Sequence, residues 1–306
     1  MTAELDLTRL RVLAAVARTG SVTAAAKELH YAQPSVSHHL SRLEADAGLP
    51  LLQRHGRGVR LTEAGRLLAN RAEEILGRVE GARRELDALA GLRAGRARLA
   101  AFPSALATVV PDAVARLQQE HPGLSVGLVE HEPPDALAAL QSGAVDVALV
   151  FEHIDVRHAR SMEDLSRYEA TTILDDPVHL VTAADLEAAP VPGYVPDLKV
   201  LDDAEWIAGC ERCRADMVAR CAAVGFAPRI AFETDDYVAV QALVAAGAGV
   251  SLLPGLTLRA HRHPGIATAP LPGAVRRVMA LTVGPPAPPA EALIRQLVAA
   301  GANVPL

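Results

Sequence analysis

Aromatic side chains are scarce in this chain of 306 residues, where phenylalanine, tyrosine and tryptophan together make up 3%. Alanine fills the helices instead, so small aliphatic side chains are expected to build the cores. No run of eighteen uninterrupted apolar residues occurs, and the N-terminus lacks a basic start followed by an apolar stretch. Membrane spanning and export are therefore not indicated, and a cytoplasmic location is expected. No internal repeat of about 20–50 residues is present. The one biased segment is the Pro-rich connection Gly284-Pro285-Pro286-Ala287-Pro288-Pro289. No nucleophile, base and orienting group recur at a catalytic spacing, and no phosphate loop is visible, so neither enzyme chemistry nor a cofactor is expected. The three cysteines are Cys210, Cys213 and Cys221. The first two have the C-x-x-C spacing of zinc and redox sites, but a structural zinc site usually needs four ligands. Only His261 and His263 offer themselves, so ordinary reduced thiols and no metal are the expectation. What is present suits two or three apolar cores, with 50% hydrophobic and 22% charged residues.

The informative stretch runs from Gly20 to Arg60. Ser21 can cap a helix in which Val22, Ala25, Ala26 and Leu29 recur at helical spacing. The small residues Ala24 to Ala26 allow a second helix to cross closely. That helix starts near Pro34, carries the apolar stripe Val36, Leu40 and Leu43, and leaves Ser35, Ser37, His38 and Arg42 on its other face. Gly48 ends it and Pro50 blocks its continuation. Leu51 to Leu61 then suit two short strands turned at His55-Gly56-Arg57-Gly58, armed by Arg54, Arg57 and Arg60. This is the outline of a winged helix-turn-helix.

Charge supports that outline. Between Leu5 and Arg60, eight Arg/Lys face four Asp/Glu, a net +4 in a chain whose total is −6, so the remainder carries −10. A basic module on an acidic protein is what attraction to a phosphate backbone requires. Gln33, Ser35, Ser37, His38 and Arg42 are the candidates to reach base edges or phosphates from the second helix, with Gln33, His38 and Arg42 carrying most discrimination. Ser21, Pro34, Arg54, Arg57 and Arg60 complete the candidate DNA contacts, the arginines on the backbone. Which bases are read does not follow from the sequence.

The run from Leu10 to Gly65 resembles the DNA-binding region of the LysR-type transcriptional regulators. The marks are Gly20-Ser21, Ala25-Ala26, Leu29, Gln33-Pro34, Val36-Ser37, Leu43-Glu44, Gly48, Arg54 and Leu61-Thr62 through Gly65. Two departures stand out. Ala32 replaces the usual Ser or Thr before the glutamine, removing a helix cap worth roughly 1 kcal/mol, and Leu52 replaces the usual Phe. The resemblance implies a second helix lying in the major groove, and dimers that commonly pair again into tetramers.

Leu68, Ala72, Ile75, Val79, Ala82, Leu86 and Leu89 fall at alternating steps of four and three, the spacing that keeps one seam facing a partner helix. A long linker helix from about Thr62 to Leu92 is expected, and with it a homodimer reading an inverted-repeat site. The alternative is an ordinary helix packed on its own domain.

Beyond Gly95 the pattern turns to strands and helices. Strands are expected at Arg98–Phe102, Leu124–Glu130 and Val145–Phe151, with helices at Ala105–Glu120, interrupted at Pro111, and at Pro134–Ser142. Further strands are expected at Thr171–Leu174, Val178–Thr182, Ile230–Glu233, Gly249–Leu253 and Val275–Val283, with helices at Cys213–Val224, Asp236–Ala246 and Ala290–Ala300. The fold class is thus α/β behind an N-terminal all-α-type winged helix-turn-helix. The order also resembles the family's effector region, which is periplasmic-binding-protein-like and two-lobed. Expected domains are 1–61 for the winged head, 62–92 for the linker and 93–306 for the effector region. Within the last, lobe I takes 93–165 and 270–306, and lobe II 166–269. A ligand is expected at the strand ends, where helix N-termini favour anions. Phe102, Ser104 and Ala105, then Phe151 and His153, then Thr234 from the other lobe, are the candidate contacts, with Ala208 in a backbone wall. Ser104 and Thr234 can donate to a carboxylate, so a small anionic effector is expected. The sequence does not name it, nor the promoter, nor activation or repression.

Overall fold

The computed structural model describes residues 5–55, 58–90, 95–154, 165–191 and 197–304. It divides into two compact units, Met1–Gly95 with Leu137–Asp146, and Arg96–Ala136 with Val147–Leu306.

In the first unit, Asp6 caps α1 (Leu7–Thr19), its carboxylate accepting from the Arg9 N–H at 3.0 Å. This helix lies N-terminal to the two-helix pattern read from the sequence. Gly20 closes it in the left-handed region at φ 65°, a conformation a side chain resists. Ser21 then caps α2 (Val22–Glu28) by accepting from the Ala24 N–H at 3.4 Å. Ala25 and Ala26 are buried at its crossing with α3 (Gln33–Ala47), which starts from Ala32 with no side-chain cap. Leu10, Leu13, Val36, Leu40 and Leu43 form one core with Leu51 of the chain entering the wing. The wing is β1 (Leu52–His55) antiparallel to β2 (Gly58–Leu61). Of the expected wing arginines, Arg57 lies outside the described residues, as does the side chain of Arg54.

A 28-residue helix, α4 (Glu63–Ala90), follows. Thr62 caps it by accepting from the Gly65 N–H at 3.0 Å and ties it to the wing by donating to the Pro50 carbonyl at 2.7 Å. Leu68 and Ala72 pack into the core of the head, as in the ordinary-helix alternative. The rest of the stripe differs: Ile75, Val79 and Leu86 are 37%, 43% and 67% exposed, and Ala82 is exposed between them. The side chain of Leu89 lies outside the described residues.

After α4 the chain continues with β3 (Gly95–Ala101), α5 (Pro103–Leu106), α6 (Val109–Glu120), β4 (Leu124–Glu130), α7 (Pro133–Gln141), whose residues from Leu137 onward count with the first unit, and β5 (Val147–Ile154). The break between α5 and α6 falls at Ala107-Thr108 and not at Pro111. Pro111 sits in the first turn of α6, where a missing N–H costs nothing. Then come β6 (Glu169–Ala183), β7 (Glu205–Ala208), α8 (Glu211–Ala223), β8 (Arg229–Glu233), α9 (Tyr237–Ala245), β9 (Ser251–Pro254), α10 (Gly255–Ala260), β10 (Ile266–Thr282) and α11 (Pro288–Ala302). Six strands form one sheet in the order β4-β3-β5-β10-β6-β9, and β7 pairs β8 in parallel beside it.

Two strands are longer than the sequence pattern predicts. Thr171–Leu174 and Val178–Thr182 are one strand, β6, and the strand expected to begin at Val275 begins at Ile266. Asp175-Asp176-Pro177 reads as a strand end because carboxylates and proline normally interrupt a sheet. Here Arg276 lies opposite Asp176, and Arg277 opposite Asp175, so each charge is answered across the ladder. Both strands run through two halves, with a register shift between Pro270 and Val275. One half is cored by Leu99, Leu149, Val278 and Leu293, the other by Leu180, Trp206, Met217 and Val250. Among the described residues, no helix is long and apolar enough to cross a membrane.

Candidate functional site

On the first unit, the stripe that buries Val36, Leu40 and Leu43 turns the opposite face of α3 outward. Gln33, Pro34, Ser35, His38 and Arg42 are exposed there, with Ser37 half-buried. The Gln33 side-chain amide donates to Ser37 Oγ at 3.1 Å, which lines up two hydrogen-bonding groups one turn apart. Ser21 is the N-cap of α2 and Arg60 is exposed on β2. The acids of the head are used internally. Asp46 pairs with Arg9, Glu28 with Arg18, and Glu44 Oε1 accepts from the N–H groups of Leu51 and Leu52 at 2.8 and 3.0 Å. Arg42 and Arg60 have no ion-pair partner among the described residues. The exposed face therefore keeps its positive charge, and Glu44 locks the wing to α3.

On the second unit, the ends of β3, β5, β8 and β9 surround a cleft of about 470 Å³, its open mouth included. At its floor is Arg276, 2% exposed. Its Nη2 donates to Asp176 Oδ2 at 2.7 Å and to Ser104 Oγ at 3.1 Å, and Nε reaches the same carboxylate at 3.2 Å. The guanidinium carbon lies 4.9 Å from the Phe102 ring and 4.5 Å from the Phe151 ring, and the rings meet edge to face. Asp176 also accepts from the Leu256 N–H at 3.0 Å, at the start of α10. Glycine is required at 255, since a Cβ there would come within 2.9 Å of that carboxylate. Across the cleft, Glu132 Oε2 is buried with no hydrogen-bond partner, and burial, then the charge of Asp235, push its pKa up.

The structure brings Phe102, Ser104, Phe151 and Thr234 together around this cleft. Ala105 is buried in the core behind Phe102, and Ala208 is buried with its carbonyl accepting from the Thr234 N–H. His153 lies behind Phe151, 3.3 Å from Asp216, with burial lowering its pKa to about 4. Asp216 is held more closely by Arg220, at 2.7 Å. Arg276, Asp176 and Glu132 were not read from the sequence as site residues. Their signal was present: Asp175-Asp176 and Arg276-Arg277 are like-charged pairs inside otherwise apolar strand patterns. No group of three or more His, Cys, Asp or Glu among the described residues is placed to hold a metal.

Two family models match. Residues 7–66 match the bacterial regulatory helix-turn-helix protein of the lysR family, and residues 90–302 match the LysR substrate binding domain. The chain is 28% identical over 283 residues to a probable HTH-type transcriptional regulator, LrrA, of Synechococcus elongatus, covering 91% of this chain and 90% of that protein. A probable cat1 operon transcriptional activator of Acinetobacter lwoffii is 30% identical over 215 residues, covering 65% and 70%. Among solved structures, CbnR, a LysR family transcriptional regulator, covers 97% of this chain and 99% of its own at TM-score 0.63 and 23% identity. CbnR complexed with its target DNA gives 0.61 at 24% identity, covering 97% and 100%.

Proposed function

The chain belongs to the LysR family of bacterial helix-turn-helix transcriptional regulators, which are not enzymes, and on that premise we propose how its two units divide the work. Residues 1–61 grip double-stranded DNA, 62–92 pair two copies, and 93–306 receive a small effector, with the whole acting in the cytoplasm. The carrying observation is the outward row Gln33, Ser35, His38 and Arg42, left positive because the acids of the head are consumed inside it. Helix α3 enters the major groove, and Arg60 with Arg54 and Arg57 holds phosphates. The exposed stripe Ile75, Val79, Ala82 and Leu86 is covered by the same stripe of a second copy, giving a dimer on an inverted repeat and a tetramer when dimers pair.

The effector is a small carboxylate. Ser104 Oγ already accepts from Arg276, so its own hydrogen is available to an incoming acceptor. Arg276 supplies charge, and Glu132, held toward its neutral form by burial, can donate. Binding favours one arrangement of the two halves joined by β6 and β10, and that arrangement changes how paired dimers bend DNA.

The test uses the full chain. Arg42→Ala is expected to relax sequence choice at a cost of about 1–3 kcal/mol for the best site, whereas Arg60→Ala weakens all duplexes and reduces the salt slope by about 1. In a thermal-shift screen of small carboxylates, Ser104→Ala should lose the shift and keep DNA affinity. Indifference of the wild-type chain to every duplex at low salt overturns the proposal.

A further inference from the structure

Cys210 is the N-cap residue of α8, and Cys213 stands at the third helical position, one turn on. Their Sγ atoms are 3.2 Å apart, and both residues line the cleft that holds Ser104 and Arg276. The Cys210 side chain makes no capping hydrogen bond, yet negative charge beside a helix N-terminus is favoured by the unpaired N–H groups of the first turn. The thiol of Cys213 adds a hydrogen bond. That bond, above all, holds the Cys210 thiol below its ordinary value against burial and the charge of Glu132, and the Cys213 N–H and Arg276 help in smaller measure. The same bond, together with burial, pushes Cys213 well up. The two sulfurs are thus inequivalent, with Cys210 the easier of the pair to ionise. Cys221, further along the same helix, shows what burial does alone: its thiol is pushed up to about 12. A metal is the competing occupant of such a pair. Zinc usually takes four ligands, and among the described residues no group of three or more His, Cys, Asp or Glu is placed to hold a metal.

We propose that Cys210 and Cys213 form a reversible disulfide in the wall of the cleft by exchange with a small organic disulfide. The Cys210 thiolate attacks one sulfur of RS–SR, the S–S bond breaks, and RS⁻ departs and takes a proton. Cys213 then gives up its proton and attacks Cys210 Sγ of the mixed disulfide, expelling the second RS⁻, which leaves as RSH. Two electrons pass from the cysteine pair to the small disulfide, whose two halves end as thiols. Closing the bond brings the sulfurs from 3.2 Å to about 2.0 Å, within reach of side-chain rotation on a fixed helix turn. It also withdraws the Cys210 thiol from the surface that a ligand would meet. That last effect rests on the effector reading above, while the disulfide does not.

The experiment equilibrates the full chain in glutathione buffers of rising oxidised fraction, quenches in acid, alkylates and reads each cysteine by peptide mass spectrometry. Cys210 and Cys213 are expected to lose alkylation together and regain it on reduction. Cys213→Ser should stop at glutathione on Cys210, Cys210→Ser should leave Cys213 unreacted, and Cys221→Ser should behave as wild type. In the reduced protein at neutral pH, Cys210 should alkylate at least about tenfold faster than Cys221. Thiols that stay reduced in the folded chain, at ratios that oxidise the urea-unfolded chain, overturn the proposal, as does a glutathione adduct on wild-type Cys210 that Cys213 never displaces. Carboxylate binding is read in parallel by thermal shift. A disulfide without any carboxylate binding refutes the effector reading alone, and carboxylate binding without a disulfide refutes this proposal alone.

Discussion

Replacing Asp176 with asparagine keeps the side-chain shape and removes the carboxylate that is hydrogen-bonded to Arg276. The guanidinium cannot move to water, since it is 2% exposed, clasped between Phe102 and Phe151 and held by Ser104. Breaking a buried pair by removing one partner costs about 3–5 kcal/mol, because the surviving charge stays buried without compensation. Two features hold the loss near the lower end. The asparagine oxygen still accepts a hydrogen bond, and the two ring faces attract the cation. We expect a loss of about 3 kcal/mol, which for a unit of this size lowers Tm by roughly 6–12 °C. Calorimetry of the full chain reads the shift in the transition of the second unit. Arg276→Met alone should also destabilise, by leaving Asp176 unanswered. The double variant should recover most of either loss, with a coupling energy of about 2 kcal/mol or more. If Asp176→Asn stays within about 1 kcal/mol of wild type, or if the two single losses simply add, the pair does not hold the floor of the cleft as argued.

The acid limb of stability should report two buried histidines. His153 and His179 are each lowered to about 4, first by burial, while an unfolded histidine sits near 6.5. The unfolded chain therefore takes up protons first as pH falls. Each histidine contributes stability that is fully present above about pH 6.5 and lost as pH falls through about 4, up to roughly 3 kcal/mol for the well-buried His153. Urea titrations of His153→Gln should show a flatter slope across that window, and an unchanged slope refutes the assignment. On α4, Val79→Asp and Leu86→Asp should keep the helical circular dichroism of the folded chain, since both side chains are exposed in the single copy, while Tm falls and loses its dependence on protein concentration as pairing is lost. Sedimentation should then give monomers, with affinity for a two-half-site duplex down about 10²–10⁴-fold. Variants that remain dimeric place the interface elsewhere.

The head was legible because its signals are local. Ser21, Pro34 and Gly48 act on the turn they occupy, and the stripe Val36, Leu40, Leu43 announces its own buried face. Helix α1 was less so, since Val12, Leu13, Ala14, Ala15 and Val16 are buried in succession and leave no periodic stripe to read. The cleft was legible at its rim, where the sequence pattern ends strands at Phe102, Phe151 and Glu233, although β5 runs on to Ile154, but not at its floor. Arg276 meets Asp176 across 100 residues of sequence and Ser104 across 172, separations no local pattern spans. The charges that complete β6 and β10 are the same ones that made each strand appear to stop. Chemistry that depends on a distant partner reads, in sequence, as an interruption.

The first turn of α4 lies so near the wing that a Cβ at Gly65 would fall 2.0 Å from the Leu51 carbonyl oxygen. Head and rod consequently swing as one lever. With 28 residues, the rod is about 42 Å long. A tilt of roughly 5° at one end of the rod therefore carries the other end through about 4 Å, close to the roughly 3.4 Å from one base pair to the next. A small change of angle at the far end of the rod is enough to displace the head by about one base-pair step.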